Sequence, residues 1–166
     1  MAKRTAVLRH KVADYLNTGT EEAPEWVLMG TGFTTLDESP GAQTESVKYV
    51  NEATSSSCVT GYETSFPFEA EHIVEEEAID AIYTVGRNHY TGSDAEFELC
   101  RVELWNKASG SASADSYEAR KFKVSCEVSD YSGENKQTIS GNLNAVGDPV
   151  LGTFDIKTKR FTAAAS

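Results

Sequence analysis

Lys121-Phe122-Lys123-Val124-Ser125-Cys126-Glu127-Val128 carries an apolar residue at every second position, and Thr138-Ile139-Ser140-Gly141-Asn142-Leu143-Asn144-Ala145 repeats the alternation. A period of two is that of a strand with one face buried and one face wet. Between the two runs, Asp130-Tyr131-Ser132-Gly133-Glu134-Asn135 supplies residues that favour turns. Residues 119–146 therefore predict a long antiparallel hairpin, closed by Gly147-Asp148-Pro149 and followed by a short strand over residues 150–156.

Working outward, residues 96–105 form another strand. Phe97 and Leu99 lie on one parity and Val102 and Leu104 on the other, which predicts a bulge near Cys100-Arg101. An extended run covers residues 57–72, where Pro67 removes a donor and so predicts an edge strand or a bend. Trp26-Val27-Leu28-Met29-Gly30 is a short apolar strand that residues 33–36 continue after a Gly30-Thr31-Gly32 turn. One helix is expected over residues 74–89, where Ala78, Ile79, Ile82, Tyr83 and Val85 recur at helical spacing. Glu75-Glu76-Glu77 sit in its first turn, where the helix dipole favours acids, and Gly86 ends it or loosens its last turn. Residues 37–56 are polar and rich in turn formers, with Ser46-Val47-Lys48-Tyr49-Val50 as a small strand of an extended hairpin. These elements predict a mainly β chain with antiparallel strands and one α-helix.

The 166 residues suffice for one domain with a hydrophobic core and are few for two. Fifteen Lys and Arg stand against 26 Asp and Glu, a formal net charge of -11. Such a balance argues against a surface that grips nucleic acid by neutralising phosphates. Four basic residues, Lys3, Arg4, Arg9 and Lys11, begin the chain with no acid among them, and most of the acids follow in the body. A basic arm on an acidic body suits contact between copies of one chain. No apolar core follows the basic start, as a secretory signal would need, and no window has the run of about 18 apolar residues of a membrane helix. Cys58, Cys100 and Cys126 are odd in number and lack metal-finger spacing, so they read as reduced, buried small hydrophobes.

Catalytic and cofactor motifs are not found. His10, His72 and His89 show no H-E-x-x-H spacing, Gly147 and Gly152 lack the lysine of a phosphate loop, and Gly30-x-Gly32 lacks the third glycine of a dinucleotide fingerprint. No G-x-S-x-G is present. Glu69 with Glu71, and Glu96 with Glu98, each share a strand face at about 7 Å. Paired carboxylates at that spacing suit a glycosidase or a calcium site, but a solvated sheet face explains them more simply. No enzyme activity, metal or cofactor is expected.

Three segments, read in order, carry a family resemblance: Trp26-Val27-Leu28-Met29-Gly30-Thr31-Gly32-Phe33, then Gly61-Tyr62-Glu63-Thr64-Ser65-Phe66, then the ending from Ile139-Ser140-Gly141-Asn142 through Gly152-Thr153-Phe154-Asp155. Over residues 25–162 the chain resembles the tail tube (major tail) proteins of long-tailed phages of Gram-positive bacteria. The resemblance implies an antiparallel β-sandwich or barrel with one flanking α-helix, as one tail-tube domain over residues 1–166, with an N-terminal arm (1–24), a long inter-subunit loop (37–56) and a C-terminal arm (157–166). It implies hexameric rings that stack into a tube, an acidic lumen through which genomic double-stranded DNA passes without specific binding, and no membrane. Implied partners are further copies of the chain and the tail terminator, tape measure and baseplate proteins, in a virion tail assembled in the host cytoplasm.

Glu63, Glu69, Glu71, Glu96, Glu98, Glu103 and Glu127, on the polar parities of the strands, are the expected lumen-facing acids. Lys3, Arg4, Arg9, Lys11, Glu38, Glu45, Lys48, Tyr49 and Glu52 are the expected contacts between rings. Two other readings use the same residues: a monomeric β-sandwich binding module on a particle surface, recognising its partner with residues 37–56, and a hydrolase using Glu69 and Glu71 or Glu96 and Glu98.

Overall fold

The structure is a computed structural model that describes residues 4–110 and 114–165. It is an antiparallel β-sandwich with one flanking helix. The strands are β1 (Val12–Asn17), β2 (Trp26–Leu28), β3 (Phe33–Leu36), β4 (Ala42–Val47), β5 (Ser56–Tyr62), β6 (Ser65–Glu71), β7 (Glu96–Lys107), β8 (Ser116–Ser132), β9 (Thr138–Ala145), β10 (Val150–Asp155) and β11 (Arg160–Ala163), with helix α1 at Glu77–Arg87. The main sheet runs β2-β1-β7-β8-β9-β6-β3, and β10 and β11 branch from β8.

The expected hairpin is β8 and β9, paired from Val124 with Ala145 to Ser132 with Thr138. Seventeen residues make β8 the longest strand, and its two halves have different neighbours. The first half pairs with β10 and the second with β9, while β7 runs along its other edge. The two halves thereby serve two hydrophobic clusters on opposite faces. In the larger one, Leu16, Leu36, Phe66, Phe68, Leu99, Phe122, Val124, Ile139 and Leu143 enclose the α1 side chains Ala78, Ile79, Ile82 and Val85. In the smaller one, Tyr15, Trp26, Cys100, Val102, Ala119 and Phe154 pack together. Phe154 is fully buried, 4.5 Å from Tyr15 and 6.0 Å from Trp26 between ring centroids. Gly152 lets β11 cross close by, because a Cβ there would collide with the Thr162 carbonyl oxygen.

The smaller cluster corrects the reading of β7. Its pairing with β1 and with β8 is unbroken through Cys100 and Arg101, and the irregularity comes after Val102. Leu99, Cys100, Arg101 and Val102 are all buried because both faces are covered there, so the parity change needs no bulge. Pro67 is likewise not on an edge strand: β6 pairs with β9 on one side and β3 on the other. Its carbonyl accepts from the Asp37 N–H at 3.1 Å, just past the end of β3, so the missing donor falls between β3 and the Ser39–Ser65 bridge.

Other boundaries move for local reasons. Helix α1 starts at Glu77, because Glu75 has a positive φ of 74° and breaks the helical path. Gly86 lies in the last turn, one residue before the helix ends at Arg87; a Cβ there would collide with the Tyr131 hydroxyl, which donates to the Tyr83 carbonyl at 3.2 Å. Strands β2 and β3 are not one continuous strand but opposite ends of the main sheet. Residues 1–24 are not all arm, since β1 lies between β2 and β7 with its last four residues buried. Within 157–166, β11 pairs with β10.

Candidate assembly surfaces

Strand alternation sends one set of polar side chains to a common sheet face. Glu96 and Glu98 of β7, Lys121, Lys123, Ser125 and Glu127 of β8, Asn142 and Asn144 of β9, and Glu69 and Glu71 of β6 have the parity opposite to the large core. Five of the seven expected lumen acids thus share a face. Most of them are partnered. Lys121 lies 3.0 Å from Glu98, which also accepts from Asn17 Nδ2 at 3.0 Å. Lys123 lies 3.2 Å from Glu96, and this carboxylate, hydrogen-bonded to the ammonium, raises the lysine pKa. Lys136 lies 3.4 Å from Glu71, and Asn144 Nδ2 donates to Glu127 at 3.1 Å. Glu69 is exposed.

Glu103 and Glu63 depart from this set. Glu103 has the parity of Leu99 and Arg101, on the opposite face, and accepts from Asn106 Nδ2 at 3.1 Å. Glu63 sits between β5 and β6, exposed, with its N–H donating to the Gly41 carbonyl at 3.0 Å.

Residues 37–56 are the outer half of a longer hairpin. Strands β3 and β6 pair in the main sheet, Ser39 bridges Ser65, Glu63 donates to Gly41, and β4 then pairs with β5 from Ala42 with Tyr62 to Val47 with Ser56. One ribbon therefore runs out from Phe33 and back to Glu71. Its outer strands extend about 20 Å, by the rise of about 3.3 Å per residue. All of β4 is exposed, as is all of β5 except Gly61. Val47, Tyr49, Val50, Val59 and Tyr62 are exposed large apolar side chains on this ribbon. At the tip, Tyr49 and Glu52 close a turn, with the Tyr49 N–H donating to the Glu52 carboxylate at 3.4 Å. Lys48 and Glu45 are exposed there, and Glu45 stands opposite Cys58.

Glu38, at the foot of the ribbon, is held by arginines of its own chain. Arg120 donates to its two oxygens at 2.6 and 2.8 Å, and Arg101 Nη1 is 3.6 Å away. Arg101 Nε lies 3.3 Å from Asp14, and Arg9 Nη2 reaches Asp14 at 3.5 Å. Arg9 and Arg101 both donate to the Leu36 carbonyl, at 2.7 and 3.2 Å. The guanidinium groups of Arg101 and Arg120 lie over the core rings of Phe66 and Phe122 at 5.7 and 5.3 Å. Desolvation by burial pushes the Asp14 carboxyl above its ordinary value, against the pull of Arg101 and Arg9. The hydrogen bonds that Arg120 donates to Glu38 hold the arginine pKa up. Sequence reading gave no site role to Asp14, Arg101 or Arg120; for the first two the signal was a charge inside an apolar run, Val12-Ala13-Asp14-Tyr15-Leu16 and Leu99-Cys100-Arg101-Val102, and Arg120 has no such signal.

Of the other basic residues at the chain start, Arg4 and Lys11 are exposed, and Lys3 lies outside the described residues. A cavity of about 720 Å³ separates the ribbon base from residues 144–149, lined by Tyr62, Glu63, Arg120 and Asp148 among others. Among the described residues, no three His, Cys, Asp or Glu side chains stand where they could share a metal ion, and no helix is long and apolar enough to cross a membrane. Compared with protein-family models and with curated proteins, the chain matches none.

Proposed function

We propose that this chain is a structural subunit of a phage tail tube, assembling as hexameric rings that stack into a hollow tube and conduct DNA during genome ejection. The observation that carries the reading is the projecting ribbon, which buries almost nothing in its own chain yet presents five large apolar side chains to water. Apolar groups gathered on so thin an element are explained by burial against another molecule. A neighbouring copy meets that need, and Arg4 and Lys11 of a basic chain start would face the acidic body of the next subunit.

The polar sheet face suits the wall of the bore. It offers carboxylates, amides and hydroxyls, and its lysines are tied to Glu96, Glu98 and Glu71. A phosphate backbone passing such a wall finds few free cations to bind. The test is electron microscopy and sedimentation of the pure full-length chain across a range of concentrations. Rings or tubes that vanish when residues 44–59 are replaced by a two-residue turn support the proposal. Persistent monomers of the native chain contradict it, and in that case loss of partner capture on shortening the ribbon would favour a monomeric binding module.

A further inference from the structure

Five ionic groups meet at the foot of the ribbon, four of them buried or half-buried and Arg9 exposed, and the polar sheet face uses none of them. They come from three separate parts of the chain: Arg9 and Asp14 from the chain start, Arg101 and Arg120 from the paired β7 and β8, and Glu38 from the ribbon stem. Arg101 and Arg120 are directly opposite in register, so two guanidinium groups share one spot on the large-core face. Glu38 and Asp14 are what make that proximity tolerable. Removing one partner from such a cluster leaves a buried charge uncompensated, so its members hold their positions together.

Arg9 gives the cluster a second property. Its side chain is 55% exposed at one end of the network, while Arg101 and Asp14 beside it are 8% and 1% exposed. Its guanidinium donates to the Val12 carbonyl of its own segment and to the Leu36 carbonyl at the end of β3, where the ribbon leaves the body. Among the described residues no strand pairs with β3 on that side; the Leu36 carbonyl is satisfied by Arg9 and Arg101 side chains instead. Two residues further on, Glu38 is gripped by Arg120 at both oxygens.

We infer that this cluster is a mechanical coupling between the N-terminal segment and the projecting ribbon: docking that draws Arg9 away from Leu36 loosens the ribbon stem, and movement of the stem loosens the N-terminal segment. The coupling is reciprocal because one set of contacts serves both segments. It operates inside one chain, so it holds whatever the ribbon binds and does not depend on the tube proposal.

Amide hydrogen exchange on the full-length chain, at concentrations where it is monomeric, tests this. The reporters are the stem amides of Asp37, Ser39, Glu63 and Ser65, the Lys11 amide bonded to the Leu8 carbonyl, and the Leu99 and Val124 amides as core references. Relative to the core references, Arg9→Ala speeds stem exchange by about tenfold, and Lys11→Ala leaves it unchanged. In the reverse direction, Glu38→Gln speeds exchange of the Lys11 amide. Reading ratios to the core separates the coupling from a general loss of stability, and Arg120→Lys, which keeps the charge but gives up the two-oxygen grip, repeats the reverse test with less disturbance. Acceleration confined to the segment carrying each substitution overturns the inference, even if tubes form normally.

Discussion

Cys58, Cys100 and Cys126 show how position sets the chemistry of one residue type. Cys58 is exposed on the ribbon, whereas Cys100 and Cys126 are buried. Burial pushes the Cys126 thiol up to about 12 and the Cys100 thiol higher still, because a thiolate cannot be solvated there. The reading of all three as buried thus fails at Cys58. A thiol reagent near pH 8 therefore titrates one cysteine in the native chain and three in denaturant; fast reaction of two or more under native conditions contradicts the packing described. Phe154 makes a sharper demand. With its ring enclosed by Tyr15 and Trp26, Phe154→Ala removes the centre of the smaller cluster and lowers stability by about 3–5 kcal/mol, measurable by urea unfolding. A loss below about 1 kcal/mol would mean that the cluster is not a second core.

At the scale of elements, what was legible followed from simple alternation. β8 and β9 each bury one face, so Phe122, Val124 and Cys126, and Ile139 and Leu143, announced both strands and their pairing. Where two faces are covered, alternation disappears, and four consecutive buried residues in β7 imitated a bulge. The chain start misled for a related reason. β1 has polar Asp14 and Asn17 in its buried stretch, and each meets a partner distant in sequence: Arg101 is ion-paired with Asp14, and Asn17 donates to Glu98. No local pattern announces such pairs. The candidate site was legible to the extent that period two assigns faces: it grouped Glu69, Glu71, Glu96, Glu98 and Glu127, but it could not see that lysines on the neighbouring strand and at the β8–β9 turn neutralise several of them. For the ribbon the expectation is strict. Because β4 and β5 bury almost nothing, replacing residues 44–59 by a two-residue turn leaves the unfolding temperature of the monomer within a few degrees of native. A large fall would show that the ribbon supports the body.

On the scale of the whole molecule, charge opposes association. At a net charge of -11 per chain, six copies carry about -66, which screening by salt relieves. Raising ionic strength from about 10 to about 150 mM therefore lowers the concentration at which rings or tubes appear, as light scattering would follow. Dissolution of preformed tubes by that salt would instead assign cohesion to ion pairs such as those available to Arg4 and Lys11. The most direct measurement is a helical reconstruction of the assembled chain by cryo-electron microscopy. A tube subunit gives an open bore walled by the face that bears Glu69, Glu127, Asn142 and Asn144, with the ribbon tips seated on a neighbouring subunit; a solid interior, or a bore lined mainly by lysine and arginine, overturns the tube proposal.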